Sequence, residues 1–67
     1  MATYQLTAER DGLTETVTIE ARNDADAIAN GSFRVMELAY PNVELWAKGA
    51  ITLTDAKGVI VQTMAEK

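Results

Sequence analysis

Hydrophobic and polar residues alternate along the chain in three long stretches, residues 3–9, 13–21 and 43–54. This two-residue period is typical of strands that have one face on a core and the other toward water. The stretch 43–54 predicts the longest strand, and it places the only tryptophan, Trp46, on the polar face. The apolar face of this predicted strand holds Val43, Leu45, Ala47, Gly49, Ile51 and Leu53.

Two tight turns connect the strands into hairpins. Asp11 and Gly12 separate the first two stretches, and this dipeptide readily adopts the positive φ angles of a two-residue hairpin turn. Residues 55–58 precede a further apolar run, and Gly58 suits the left-handed position of a three-residue loop with a bulge. That loop predicts Val59 and Val61 on the core face, with Ile60, Gln62 and Met64 outward; a four-residue loop would reverse the faces.

The residues between the two hairpins have the 3.6-residue period of an amphipathic helix. Asn23 or Asp24 is the predicted N-cap, because both side chains accept hydrogen bonds from the free N–H groups of a first turn. Pro41 is predicted to end the helix. Gly31, at the edge of the buried face, indicates close packing against the sheet. The predicted buried face holds Ala25, Ile28, Ser32, Val35 and Ala39, with Ala29 and Met36 beside it.

The order of elements is therefore β-β-α-β-β. It predicts an α+β fold with a four-stranded, mainly antiparallel sheet and one helix packed on one of its faces. We expect the 67 residues to form a single domain, residues 1–67. A domain this small that has no disulfide depends on tight packing or on self-association for its stability.

The composition argues against most enzyme chemistry. The chain has no histidine and no cysteine, which excludes the serine triad, thiol catalysis and the usual nitrogen and sulfur ligands of zinc. Carboxylates cluster near the first hairpin and the predicted helix start. They are candidates for acid–base chemistry, but solvated turn and capping roles are the favoured interpretation. We expect no enzymatic activity, no metal and no cofactor.

The net charge of −4 bears on the choice of partner. An acidic surface repels nucleic acid and anionic lipid, and it suits a basic protein surface. No segment has the roughly 20 apolar residues of a membrane span, and residues 1–4 lead into a strand pattern rather than a signal sequence. These features predict a cytoplasmic protein whose partner is another protein, with neither nucleic acid nor membrane bound.

Trp46 is the first candidate for a protein-binding residue, together with its neighbours Glu44 and Lys48. On the outer face of the predicted strand, the indole either packs against Ile60 or Met64 or anchors an interface, where tryptophan is enriched. The sequence leaves both interpretations open.

Phe33 and Tyr40 are the second candidates. They share a row with Ala29 and Met36 at i, i+4, i+7 and i+11 spacing, and both rings lean toward solvent. Either they fold over the sheet edge and complete a small core, or they form a helix flank that contacts another chain, including a second copy. The threonine-rich outer face of the first hairpin is either solvated, self-pairing or a surface for an uncharged ligand.

The junction between hairpin and helix resembles small proteins of phages and mobile elements. It reads Val-Thr-Ile-Glu-Ala at residues 17–21 and Asn-Asp-Ala-Asp-Ala-Ile at residues 23–28. The similarity covers about the first half of the chain, and some anti-CRISPR proteins resemble it in size and element order. The resemblance implies a phage-encoded inhibitor that binds a host protein and blocks it sterically. The alternative is a structural protein that forms a homodimer or larger assembly through a sheet edge or a helix flank.

Overall fold

A computed structural model of the chain describes residues 1–65. The elements follow the order β1 (Ala2–Arg10), β2 (Leu13–Ala21), α1 (Asp24–Ala39), α2 (Val43–Trp46), β3 (Ala50–Thr54) and β4 (Ile60–Ala65). The strands form one antiparallel sheet in the order β2-β1-β3-β4. The predicted α+β class and the β-β-α-β-β order are confirmed, with the short helix α2 added between α1 and β3.

The first hairpin forms at the predicted turn. Asp11 and Gly12 have φ angles of 51° and 83°, the left-handed region that a two-residue hairpin turn requires. The β1–β2 register pairs Leu6 with Val17, so apolar side chains of both strands lie on one face. Strand β1 is central, because its other edge pairs with β3 and aligns Leu6 with Leu53.

The second hairpin has the predicted glycine turn but an irregular second strand. Gly58 has a φ angle of 84°, as the bulged loop requires. The β3–β4 register then shifts twice, between Ile51 and Thr52 and between Leu53 and Thr54. Each shift puts an extra residue on β4, and an extra residue changes which face the following side chains take.

These shifts explain which side chains of the second hairpin face the core as predicted and which do not. Val61 packs against the core and Ile60 is 62% exposed, as predicted. Met64, predicted to face outward, packs against the core instead. Val59, predicted on the core face, is 59% exposed because it still belongs to the turn.

Helix α1 begins at Asp24 and is capped by Asn23, whose side chain accepts a hydrogen bond from the Asp26 N–H at 2.8 Å. The Tyr4 hydroxyl, on β1, donates to the Asp24 carboxylate at 2.8 Å, which fixes the helix start over the sheet. This hydrogen bond, followed by burial and the charges of nearby carboxylates, raises the pKa of Tyr4 above its ordinary value.

The buried face of α1 is rotated about the helix axis from the predicted one. Ala27 and Gly31 are its fully buried residues, so two of the smallest side chains let the helix approach the sheet closely, while Leu38 packs beside them. Of the residues predicted on the buried face, Ile28, Val35 and Ala39 pack against the core, whereas Ala25 and Ser32 are exposed. The Ser32 hydroxyl donates to a backbone carbonyl one turn earlier, at 3.0 Å.

The predicted strand 43–54 is wrong in its first half, which forms helix α2. The Asn42 side chain caps α2 by accepting a hydrogen bond from the Leu45 N–H at 3.4 Å. A helix this short has little stability of its own, and burial of Leu45 and Trp46 supplies it. The structure therefore places Trp46 in the core, rather than on the outer face of the sheet.

The core lies between the sheet and the two helices. Its largest fully buried side chains come from three strands and α2: Leu6, Ile51, Leu53 and Trp46. The fully buried residues of α1 are small, and its larger apolar side chains, Ile28, Val35 and Leu38, are only partly buried, so Trp46 supplies much of the core volume on the helix side.

Gly49 lies where the chain turns from α2 into β3. A Cβ atom there would lie 2.4 Å from the Leu45 carbonyl oxygen and 2.9 Å from that of Glu9. Both neighbours are backbone atoms, so a side chain would force the chain apart. At Gly31 an added Cβ would lie 3.4 Å from its nearest neighbour, a methyl group of Leu6, which is an ordinary contact distance.

These two glycines predict opposite effects of the same substitution. We expect Gly49→Ala to lower the free energy of unfolding by about 1–3 kcal/mol, since overpacking against fixed atoms is destabilising. We expect Gly31→Ala to leave it unchanged or raise it by up to about 1 kcal/mol, since alanine favours the helix. Urea unfolding measures both, and equal effects would contradict the close approach at Gly49.

Candidate binding surface

Three large apolar side chains face solvent, two on α1 and one on its C-cap residue. Phe33, Met36 and Tyr40 are 70%, 69% and 91% exposed, and their i, i+3, i+7 spacing puts them on one side of the helix. We call these three residues the helix stripe. Phe33 and Tyr40 are exposed, as their positions on the helix predict, so the interpretation in which both rings fold over the sheet edge and complete the core is wrong.

Met36 belongs to this surface although the sequence placed it at the border of the core. The rotation of α1 that buries Ala27 and Gly31 carries Met36 outward. Its position within about 60° of Phe33 and Tyr40 on the helix wheel was the available signal, but the wheel could not show that the smallest residues would lie nearest the sheet.

An apolar groove of about 390 Å³ runs beside the helix stripe, between α1 and β4. Val35 and Met36 line it from the helix, and Ile51 and Met64 line it from the sheet. Trp46 also contributes to the lining. Met36 is shared by the groove and the helix stripe, so the two form one continuous apolar surface.

Glu44 and Lys48 lie together, but their contacts are within the chain. The Lys48 ammonium is 3.2 Å from the Glu44 carboxylate, and the Arg10 guanidinium also binds that carboxylate. Hydrogen bonds from Arg10 and then Lys48 lower the pKa of Glu44. These exposed pairs join the first hairpin to α2. The sequence did not single out Arg10, because the contact spans 34 positions.

Trp46 is 1% exposed, so its indole presents no surface to a partner. Its Nε1–H donates to the carboxylate of Glu15 on β2. Glu15 lies in the same row of β2 side chains as Val17 and Ile19, which pack against the core, and it accepts the indole hydrogen bond at the edge of the core. The outer-face placement predicted for Trp46 is wrong. The indole packs among the core side chains, and the Glu15 carboxylate accepts the hydrogen bond of its N–H group.

The sheet face opposite the helices is rich in threonine. Thr16, Thr7, Thr52 and Thr63 are cross-strand neighbours, one on each strand, and the hydroxyl oxygens of Thr7 and Thr16 are 3.3 Å apart. No helix covers this face within residues 1–65. It therefore stays a second surface that is open to contact.

Comparison of the chain with protein-family models, with curated proteins and with solved structures finds no match. Among the described residues, no group of three or more acidic, histidine or cysteine side chains is arranged to hold a metal ion. Neither helix in this part of the chain combines the length and the apolar composition needed to cross a membrane.

The Trp46–Glu15 hydrogen bond predicts an asymmetry between two glutamates of β2. We expect Glu15→Ala to lower the free energy of unfolding by about 1–3 kcal/mol, because it leaves a buried indole N–H without a partner. Glu15→Gln keeps an acceptor oxygen and should cost less. The matched control is Glu20→Ala, which removes an exposed carboxylate from the same strand. Equal losses for Glu15→Ala and Glu20→Ala in urea unfolding would contradict the bond.

Proposed function

We propose that this chain is a non-enzymatic protein-binding module that engages its partner through the helix stripe of Phe33, Met36 and Tyr40. The observation that carries the proposal is the exposure of these three side chains, between 69% and 91%, on one side of a well-packed helix. Adjacent exposed apolar side chains on a small domain are typical of interaction sites.

The spacing of the helix stripe suits a helix-in-groove contact. Anchors at i, i+3 and i+7 are those with which an amphipathic helix enters an apolar groove on another protein. Tyrosine is also enriched among residues that dominate binding energy. The partner surface that fits best is therefore an apolar cleft.

The charges of the chain indicate the charge of the partner surface around the cleft. Arg34 and Glu37 form an exposed ion pair on the same helix, with 3.4 Å between their charged atoms. The chain as a whole carries −4, so a basic rim around the partner's cleft favours association. Rim charges of this kind affect the rate of association more than the final affinity.

The mode of action that follows is steric. A sheet-backed helix occupies a surface on the partner and excludes whatever else binds there, with no chemical step. The resemblance of residues 17–28 to small phage proteins supports an inhibitor of a host protein as the first kind of binder to test. The absence of histidine and cysteine from the sequence supports a non-enzymatic role.

The helix stripe predicts a specific loss of binding. We expect the double variant Phe33→Ser, Tyr40→Ser to weaken binding to a captured partner by at least about thirtyfold, as expected for the loss of hot-spot side chains. Its free energy of unfolding should stay close to that of the wild type, because both side chains are exposed. Capture from host-cell lysate, followed by titration of the purified partner, measures the effect.

The matched control is Val59→Ser, which removes an apolar side chain of similar exposure, 59%, from the β3–β4 turn. It should bind as the wild type does. Undiminished binding by the Phe33→Ser, Tyr40→Ser variant would refute the helix stripe as the binding site.

A further inference from the structure

We propose that β2 pairs edge to edge with β2 of a second copy of this chain, in an antiparallel register with Val17 at the two-fold axis. Among the described strands, β2 lies at one end of the sheet and pairs only with β1. It has nine residues, and all nine pair with β1 without a register shift. A long, regular edge of this kind is a template for a further strand.

The other sheet edge is a poor template by comparison. Strand β4 has six residues, and its pairing with β3 contains two register shifts. Bulges bend and twist an edge strand and are among the devices that prevent edge-to-edge pairing. The contrast between the two edges selects β2.

The composition of β2 lacks the usual protection against pairing. The strand contains no lysine, arginine or proline, the residues with which natural edges block another strand. An inward-pointing charge is a further such device, but the inward charge here, Glu15, is engaged by the Trp46 N–H. Helix α1 reaches the strand's backbone near one end, where the Asn30 amide is 3.5 Å from the Glu20 carbonyl oxygen.

The charges of β2 exclude some registers, and the length of the pairing selects among the others. With the axis at Val17, Glu20 faces Thr14 of the second copy and Glu15 faces Ile19, so no two carboxylates are opposed. An axis at Glu15 or at Glu20 would oppose identical carboxylates, which is destabilising. The Val17 axis also uses the whole strand, because Val17 is its central residue.

The same register brings threonines together on the outer face. Thr16 faces Thr18 of the second copy, and Thr18 faces Thr16. Cross-strand threonine pairs stabilise a sheet, and the existing β1–β2 pairing already contains one, Thr7 with Thr16. Pairing over nine residues adds about nine backbone hydrogen bonds, which is within the range of ordinary protein interfaces.

The resulting dimer has an eight-stranded sheet with both α1 helices on the same face. Met36 of the helix stripe lies on the side of α1 that faces β4 and the groove, away from the β2 edge. The dimer does not depend on the proposed function, but it would present two helix stripes and so strengthen binding to a partner with two sites.

The test is the mass of the purified chain, measured by light scattering over a roughly hundredfold range of concentration. We expect the wild type to reach twice the monomer mass. The double variant Thr16→Lys, Thr18→Lys places like charges opposite each other twice, and should raise the dissociation constant of the dimer at least about tenfold. Both positions are exposed, so the monomer should keep its fold.

Two further experiments test which edge strand forms the dimer and in which register it pairs. Thr63→Lys, an exposed position on the opposite edge strand, should leave the dimer intact. Mixing the Thr16→Lys, Thr18→Lys variant with Thr16→Glu, Thr18→Glu should restore a heterodimer. A wild type that stays monomeric, a dimer disrupted by Thr63→Lys but not by the β2 variant, or a mixture that does not associate would each overturn the proposal. Helix-stripe variants test the proposed function separately, because they leave β2 unchanged.

Discussion

Burial of Trp46 is the constraint on which the rest of this structure depends. Helix α1 approaches the sheet through Ala27 and Gly31, and such small side chains cannot fill the core of the domain by themselves. The chain therefore forms the short helix α2, which brings Trp46 against the sheet at 1% exposure. The chain turns from α2 into β3 at Gly49, where an added Cβ atom would lie 2.4 Å from the Leu45 carbonyl oxygen. The Glu15 carboxylate accepts the hydrogen bond of the indole N–H. Without Trp46, the end of the sheet beyond α1 would have no cover.

This arrangement separates the aromatic residues that the fold uses from those that it does not. Tyr4 and Trp46 are buried and hydrogen-bonded to carboxylates on neighbouring elements. Phe33 and Tyr40 make no comparable contribution to the core, since most of each ring is exposed. Exposed aromatic side chains on a small domain cost solubility without adding stability. Their position together on one side of the helix is the basis of the binding role proposed for them.

The sequence predicted the elements that depend on local chemistry. The Asp11-Gly12 turn, the positive φ angle of Gly58 and the Asn23 cap all appear in the structure. The predicted strand 43–54 failed in its first half because Ala47 and Gly49, which continue the alternation there, are small residues that do not distinguish a strand from a helical turn and the loop after it. Asn42 was the missed signal, because its side chain caps α2.

The remaining errors arise from tertiary packing. The face of β4 depends on two register shifts that only its pairing with β3 reveals, and Met64 moved to the core as a result. The rotation of α1 depends on how closely Gly31 approaches the sheet. For the binding surface, Phe33 and Tyr40 were predicted from their helical spacing. Trp46 was placed on the outer face of the sheet because residues 43–46 were predicted as a strand, whereas they form α2. The contacts of Glu15 and Arg10 join residues 31 and 34 positions apart, which no local pattern reports.

The most direct test of this account is the accessibility of Trp46 to a neutral quencher. Trp46 is the only tryptophan, so its fluorescence reports this one position without further labelling. We expect emission at shorter wavelength in the folded chain than in urea, and quenching by acrylamide far weaker than in the unfolded chain, at protein concentrations low enough to exclude association. Folded protein that is quenched as readily as the unfolded chain would show that Trp46 lies on the surface, and would contradict the core described here.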